Sequence, residues 1–215
     1  MFRRILLVTL IMVLGAAAVP AGQELSAIKL PAPQIDGGKP LMQALKARQS
    51  AREFGSEKLA PQVLSNLLWA AWGINRPDGR RTAPSASNRQ EIDVYVTLPE
   101  GAYVYDAKAH ALNPVAVGDL RAATGTQPFP ATAALNLVFV ADTSKTSRPA
   151  TDPQQAMNIG ADAGYLSANA YLFCASEGLA TVVRASVDKA ALAKALKLKD
   201  TQVIVLAQSV GYPKK

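Results

Sequence analysis

The chain has one cysteine and one histidine in 215 residues, and these two scarcities remove several kinds of chemistry at once. A zinc or iron site built from Cys and His needs three or four such ligands, so none of the usual sets is available. Cys174 has no partner for an internal disulfide, and its neighbours Tyr171, Leu172 and Phe173 point to a buried thiol and not a nucleophile. The lone His110 falls in a hairpin with no carboxylate constellation nearby in sequence, which reads as a surface residue and not a catalytic base. There is no Ser-His-Asp ordering, no Gly-rich phosphate loop, no internal repeat and no low-complexity run. Charged residues make up only 18%, and the basic ones do not form a long run interleaved with aromatics, so nucleic-acid binding is not expected.

What is present is 49% apolar side chains, enough to bury one sizeable core, and a length that suits a single domain. The N-terminal stretch is separate in character. Arg3 and Arg4 precede an apolar run from Ile5 to Leu14, then small residues with Val19 and Ala21 placed for cleavage after Ala21. This reads as an export signal over residues 1–21. The run is shorter than the roughly 20 residues of a membrane span, so no stable membrane insertion is expected after cleavage; an uncleaved anchor is the alternative. Paired arginines suit twin-arginine export, yet no Ser or Thr precedes them, so the export route stays open. The expected location is the periplasm or another exported compartment. Loss of Arg3 and Arg4 takes two charges from the net +7 and leaves the mature chain basic.

Residues 22–39, rich in Pro, Gly and small polar groups, read as a tether to a domain over 40–215. Helices are predicted from Pro40 to about Arg48 and from Pro61 to Gly73, the second with Val63, Leu64, Leu67, Leu68, Ala71 and Trp72 on one face. Strands are predicted over Ile92–Leu98, through a hairpin joining Tyr103–Tyr105 to His110–Leu112, and over the continuously apolar Leu135–Ala141. A long helix follows from about Asp152 or Gln155 to Glu177, thinned by Gly160, Ala161, Ala163, Gly164, Ala168 and Ala170 and capped by Gly178. Then come a strand around Thr181–Val183, a helix from near Asp188, and a strand over Gln202–Ala207.

Two short segments carry chemistry. In Arg48-Gln49-Ser50-Ala51-Arg52-Glu53-Phe54 the two arginines and the serine alternate, so an extended backbone turns all three to one face, the arginines about 13 Å apart. Such a face suits a phosphate at one end and an electron-rich ring at the other. Thirty residues on, Thr82-Ala83-Pro84-Ser85-Ala86-Ser87-Asn88-Arg89-Gln90 supplies neutral donors and acceptors on a turn. The four arginines between Arg76 and Arg89 read either as a solvated loop or as the rim of an anionic ligand.

With Leu68-Trp69-Ala70-Ala71-Trp72-Gly73, Asp162-Ala163-Gly164, Glu177-Gly178-Leu179 and Gly211-Tyr212-Pro213, these segments resemble the FMN-dependent nitroreductase superfamily. Within it they are similar to the branch of dehydrogenases that form thiazole and oxazole rings in peptides. The resemblance implies an α+β fold, a central mostly antiparallel sheet flanked by helices, in an intertwined homodimer. It places FMN on Arg48 and Ser50 at the phosphate and Arg52 at the pyrimidine end of the ring. It implies that Pro84, Ser85 and Asn88 reach the flavin from the partner subunit, that a backbone amide at Arg184 or Ala185 faces the reactive nitrogen N5, and that Lys214 adds charge at the phosphate. It names no catalytic side chain and no metal.

Three departures stand out: Ala168 where many relatives have glutamine, no glycine in Val183-Arg184-Ala185-Ser186, and an end at Lys215 that leaves out the long C-terminal arm of some relatives. The expected function is an FMN-dependent oxidoreductase passing hydride or electrons through N5 to or from a small organic substrate by a ping-pong mechanism. Two alternatives stay open: a dehydrogenase of a peptide-derived substrate, and an exported flavin-binding protein without turnover.

Overall fold

The computed structural model describes residues 24–215, so the export segment lies outside the described residues. In chain order the elements are β1 (Ile28–Lys29), α1 (Leu41–Ala47), α2 (Pro61–Trp72), β2 (Ile92–Leu98), β3 (Gly101–Asp106), β4 (Ala111–Val117), β5 (Leu135–Asp142), α3 (Pro153–Glu177), β6 (Ala180–Arg184), α4 (Lys189–Ala195) and β7 (Gln202–Gly211). The strands form one seven-stranded sheet in the order β1-β4-β3-β2-β5-β7-β6. Every pairing is antiparallel.

Inside the sheet, between β2 and β7, lies β5, whose residues from Leu135 to Ala141 are all buried. A strand covered on both faces needs no polar alternation, which is why its sequence reads as one apolar run. Leu137, Phe139 and Ala141 face one way, into a core with Leu67, Leu68 and Trp72 of α2 and Ile159, Leu166 and Ala170 of α3. Val138 and Val140 face the other way, against Leu192 and Leu196 at α4 and Ile204 and Ala207 of β7. The sheet thus has α2 and α3 on one side and α4 on the other.

Helix ends follow local chemistry. The carboxylate of Asp152 accepts from the Gln155 amide at 3.0 Å and starts α3, while Gly178, at φ +71, ends it with its N–H on Cys174 O. Gly73 stops α2 for another reason: its backbone is extended, but a Cβ there would lie 2.3 Å from the Trp69 ring. Cys174 is fully buried, and burial pushes its thiol up to about 12.

Two regions differ from the sequence-based expectation. Within the stretch 22–39, β1 pairs with β4 through Ile28↔Leu112 and Lys29↔Ala111, Leu30 is buried, and the Gln34 amide donates to Asn66 Oδ1, so its described part packs onto the domain. His110 is not a free surface residue. It sits at φ +48 between β3 and β4, with Nε2 2.7 Å from Ser65 Oγ and Nδ1 2.9 Å from the Tyr105 hydroxyl. Because Ser65 Oγ donates to Pro31 O at 2.6 Å, it accepts from His110 Nε2–H, which leaves Nδ1 to accept from Tyr105. The neutral imidazole therefore pins α2, β3 and the N-terminal segment together.

Burial lowers the pKa of His110 below its ordinary value. The folded state then resists a proton that the unfolded chain takes up below about pH 6.5, so this contribution is full above that pH and is lost as pH falls below it. His110→Gln is expected to cost about 1–3 kcal/mol at pH 8, since Ser65 and Tyr105 are left poorly partnered. The gap to wild type should narrow in urea titrations between pH 6.5 and 5. A gap that does not change with pH would mean that the ring takes up its proton equally readily in the folded and unfolded chain, and a gap that widens as pH falls would mean that the fold holds it charged.

Candidate functional site

As α1 ends, Arg48 leaves helical geometry at φ −59 and ψ 120, and the chain runs between β6 and the C-terminal residues. Backbone bonds fix it there: Ala51 N–H to Thr181 O at 2.9 Å, Gly55 N–H to Tyr212 O at 2.9 Å, and Lys214 N–H to Glu53 O at 3.4 Å. Phe54 bridges to Pro213 and is buried. Pairing at the sheet edge thereby brings the segment with Arg48, Ser50 and Arg52 alongside the C-terminal residues that carry Lys214.

Tyr171 of α3 organises that neighbourhood. Its hydroxyl accepts from the Val183 amide at 2.9 Å and lies 2.8 Å from Ser50 Oγ, while the Arg48 guanidinium stands 5.3 Å from its ring centroid. One side chain thus sets Arg48, Ser50 and the end of β6 relative to each other. In the sequence Tyr171 reads only as a neighbour of a buried cysteine; the available signal was a phenol on a buried helix face, which needs a polar partner. Arg48, Arg52 and Lys214 are exposed, and none of them takes part in an ion pair among the described residues.

Ala185 is exposed just beyond β6, but the side chain of Arg184 turns the other way. It is buried, with Nε and Nη2 donating to Thr124 O, Nη2 also to Thr124 Oγ1 and Asn136 Oδ1, and Nη1 to Ser209 Oγ. Phe129 covers it with a ring centroid 5.6 Å from the guanidinium carbon. Any contact of this residue with a ligand at the β6 end is therefore by its backbone.

The loop with Pro84, Ser85 and Asn88 docks elsewhere on α3. The Ala86 amide donates to Asp162 Oδ2 at 2.9 Å, Gln90 N–H to Ser85 Oγ at 3.0 Å, and Ser87, Asn88 and Gln90 hold positive φ near +50. Asp162 and Tyr171 are nine residues apart, about 14 Å along a helix. Within one protomer the loop and the Arg48 segment thus occupy different levels of α3. Of the basic residues of this region, Arg81 is structural: it stacks on Trp72 at 5.1 Å and donates to Trp72 O and Gln90 Oε1.

Beneath the loop lies a residue with no motif to announce it. Glu91, immediately before β2, is buried, and neither carboxylate oxygen has a hydrogen-bond partner. Burial, and the neighbouring Asp162 carboxyl, push its pKa up to about 7. Two acids under one loop resist ionising together.

Comparison with known proteins decides the family. The nitroreductase family model matches residues 45–212, a span that takes in the Arg48 segment, the Pro84 loop, α3 and both strands of the β6–β7 edge. The chain belongs to the nitroreductase family. Among its relatives, a candidate nitroreductase of Methanocaldococcus jannaschii is 29% identical over 176 residues, covering 77% of this chain and 88% of its own. A crystal structure of a candidate nitroreductase from Ralstonia eutropha JMP134 superposes with a TM-score of 0.82 at 42% identity, over 88% of this chain and 90% of that one. A Desulfovibrio desulfuricans structure, a candidate nitroreductase in complex with FMN, shares the fold with a TM-score of 0.61 at 20% identity, over 83% and 89% of the two chains.

Proposed function

We propose that this member of the nitroreductase family is an FMN-dependent oxidoreductase that exchanges hydride or electrons with a small organic substrate. The observation that carries the reading is the group around Tyr171: unpaired cations, hydroxyls and a strand end fixed by backbone bonds, in a chain whose family typically binds FMN. The donor set fits the cofactor. Arg48, Ser50 and Lys214 would hold the phosphate, the arginine as a fork and the serine as a neutral donor. Arg52 would stand at the pyrimidine end of the ring, where positive charge favours the reduced state, and the backbone at Ala185 would face N5. When bound, FMN supplies the redox chemistry, and the protein supplies orientation and electrostatics. The chain's own residues then bind, orient and screen; none is assigned a covalent role.

In this reading a reductant and a substrate use the same open face in turn, which gives ping-pong kinetics. Action at an exported location, with cleavage of residues 1–21, follows from the Arg3-Arg4 and Ile5–Leu14 pattern. Purified apo-protein is expected to take up FMN non-covalently, and FMN at about 100 times its dissociation constant should stabilise the fold by roughly 2.7 kcal/mol. A protein with no flavin spectrum after reconstitution, and no rise in melting temperature, would defeat the proposal.

We also propose a homodimer that completes each site. Gly160, Ala161 and Ala168 of α3 are exposed, and Cβ atoms added at Gly160 or Gly164 would meet nothing within 4 Å in the protomer. Met157 and Tyr165 on the same helix and Leu41, Met42 and Leu45 of α1 are exposed apolar side chains. A partner on this face would explain the missing bulk, and it would carry its Pro84–Asn88 loop toward the Arg48 segment that the loop does not meet within one chain. Gly164→Leu is expected to leave the protomer folded and to lower dimer content and FMN occupancy together, since overpacking typically costs about 1–3 kcal/mol. Light scattering with flavin content on the same samples checks this; a monomer with full FMN occupancy would show that each subunit builds its site alone.

A further inference from the structure

Arg184 is the one guanidinium that the described fold buries deeply, and it is buried without a counter-charge. Its five hydrogen bonds go to Thr124 O, twice, and to Thr124 Oγ1, Asn136 Oδ1 and Ser209 Oγ, all of them neutral acceptors. It belongs to none of the ion pairs among the described residues. Taking a cation out of water is costly even when every donor is satisfied, and a carboxylate would offset that cost best. No carboxylate is among its partners: the neutral Asn136 stands there, with Oδ1 3.0 Å from Nη2 and Nδ2 donating to Pro130 O at 3.0 Å. A neutral staple tying the 119–133 segment to β6 and β7 would need hydrogen bonds only, so the retained charge calls for a different explanation.

The position of the residue supplies it. Arg184 ends β6 and directly precedes Ala185, and its guanidinium is covered by Phe129 and shielded from solvent. A charge in that setting is screened little by water or salt, unlike the exposed Arg52. We infer that Arg184 is a fixed, uncompensated cation behind the flavin ring that favours the reduced, negatively charged cofactor over the oxidised one. The inference rests on the reading of this chain as an FMN-binding oxidoreductase. It assigns the side chain an electrostatic role while the neighbouring backbone makes contact.

The test compares dissociation constants for oxidised and, under anaerobic conditions, reduced FMN in the full chain and three variants. Asn136→Asp places a carboxylate against the intact guanidinium and should weaken reduced FMN about tenfold more than oxidised FMN. For a two-electron couple that is a fall in potential of about 30 mV. Arg184→Met should move the ratio in the same direction, and Arg184→Lys, which keeps the charge and loses the fork, should retain most of the wild-type preference. If Arg184→Met does not fold, Asn136→Asp decides, because it offsets the charge and leaves the arginine's hydrogen bonds in place, losing only the Asn136 Nδ2 bond to Pro130 O. Variants that leave the ratio of the two constants at its wild-type value would reduce Arg184 to a structural staple and overturn the inference, while wild-type FMN binding would still stand. A wild-type protein that binds neither form would instead remove the flavin reading, and this inference with it.

Discussion

Glu91→Gln should stabilise the protein by up to about 3 kcal/mol at pH 8 and change its stability little at pH 4. The reason is the raised pKa of the buried carboxyl, about 7 against an ordinary value of 4.5. An acid whose folded-state pKa is raised keeps its proton in the folded state between those two values. Its contribution is therefore fully present below about pH 4.5 and is lost as pH rises through about 7; at 1.36 kcal/mol per unit, the cost of ionising it in place reaches about 3 kcal/mol. Glutamine has nearly the same shape and cannot ionise. Urea unfolding from pH 4 to 8 should give curves for wild type and variant that coincide in acid and diverge above pH 5. Parallel curves would mean that Glu91 stays charged in the fold. Since Asp162 also accepts the Ala86 amide, the acid pair lies under the loop proposed to reach a partner's flavin, and the same titration should report on loop order through protection of that amide.

Arg48→Ala is expected to weaken FMN binding about ten- to hundredfold, the loss of one charge-assisted contact worth roughly 1.5–3 kcal/mol. Stability of the apo-protein should change by less than about 1 kcal/mol, because the exposed side chain's one aromatic contact is with the Tyr171 ring. Affinity measured at two salt concentrations gives a second check, since removing a phosphate contact should also flatten the salt dependence. Arg52→Ala, by contrast, should keep more of the affinity and lower the flavin reduction potential. Unchanged FMN affinity in Arg48→Ala would remove that residue from the phosphate site, and equal potentials in wild type and Arg52→Ala would remove Arg52 from the ring.

The sheet and helices were legible wherever burial imposes a period or a cap leaves a chemical mark. β5 reads as a continuous apolar run because both its faces are covered, and α3 is bracketed by Asp152 and Gly178, residues whose side chain or backbone freedom suits each end. The Arg48, Ser50 and Arg52 alternation was equally visible, since it needs only local order. β1 was not, because a two-residue strand at a sheet edge has no period to detect and exists only through its pairing with β4.

By itself the sequence determined the family and the α+β class, because each of these depends on residue types at short spacings along the chain. Only the tertiary structure decided which of those residues share a place. It turned Arg184 inward, made Tyr171 the partner of Ser50 and of Val183, closed His110 into a half-buried network, and set Glu91 beside Asp162. Each of these depends on which face of one element meets which face of another across 12 to 121 positions of chain, and on the desolvation that follows. A local pattern contains neither quantity.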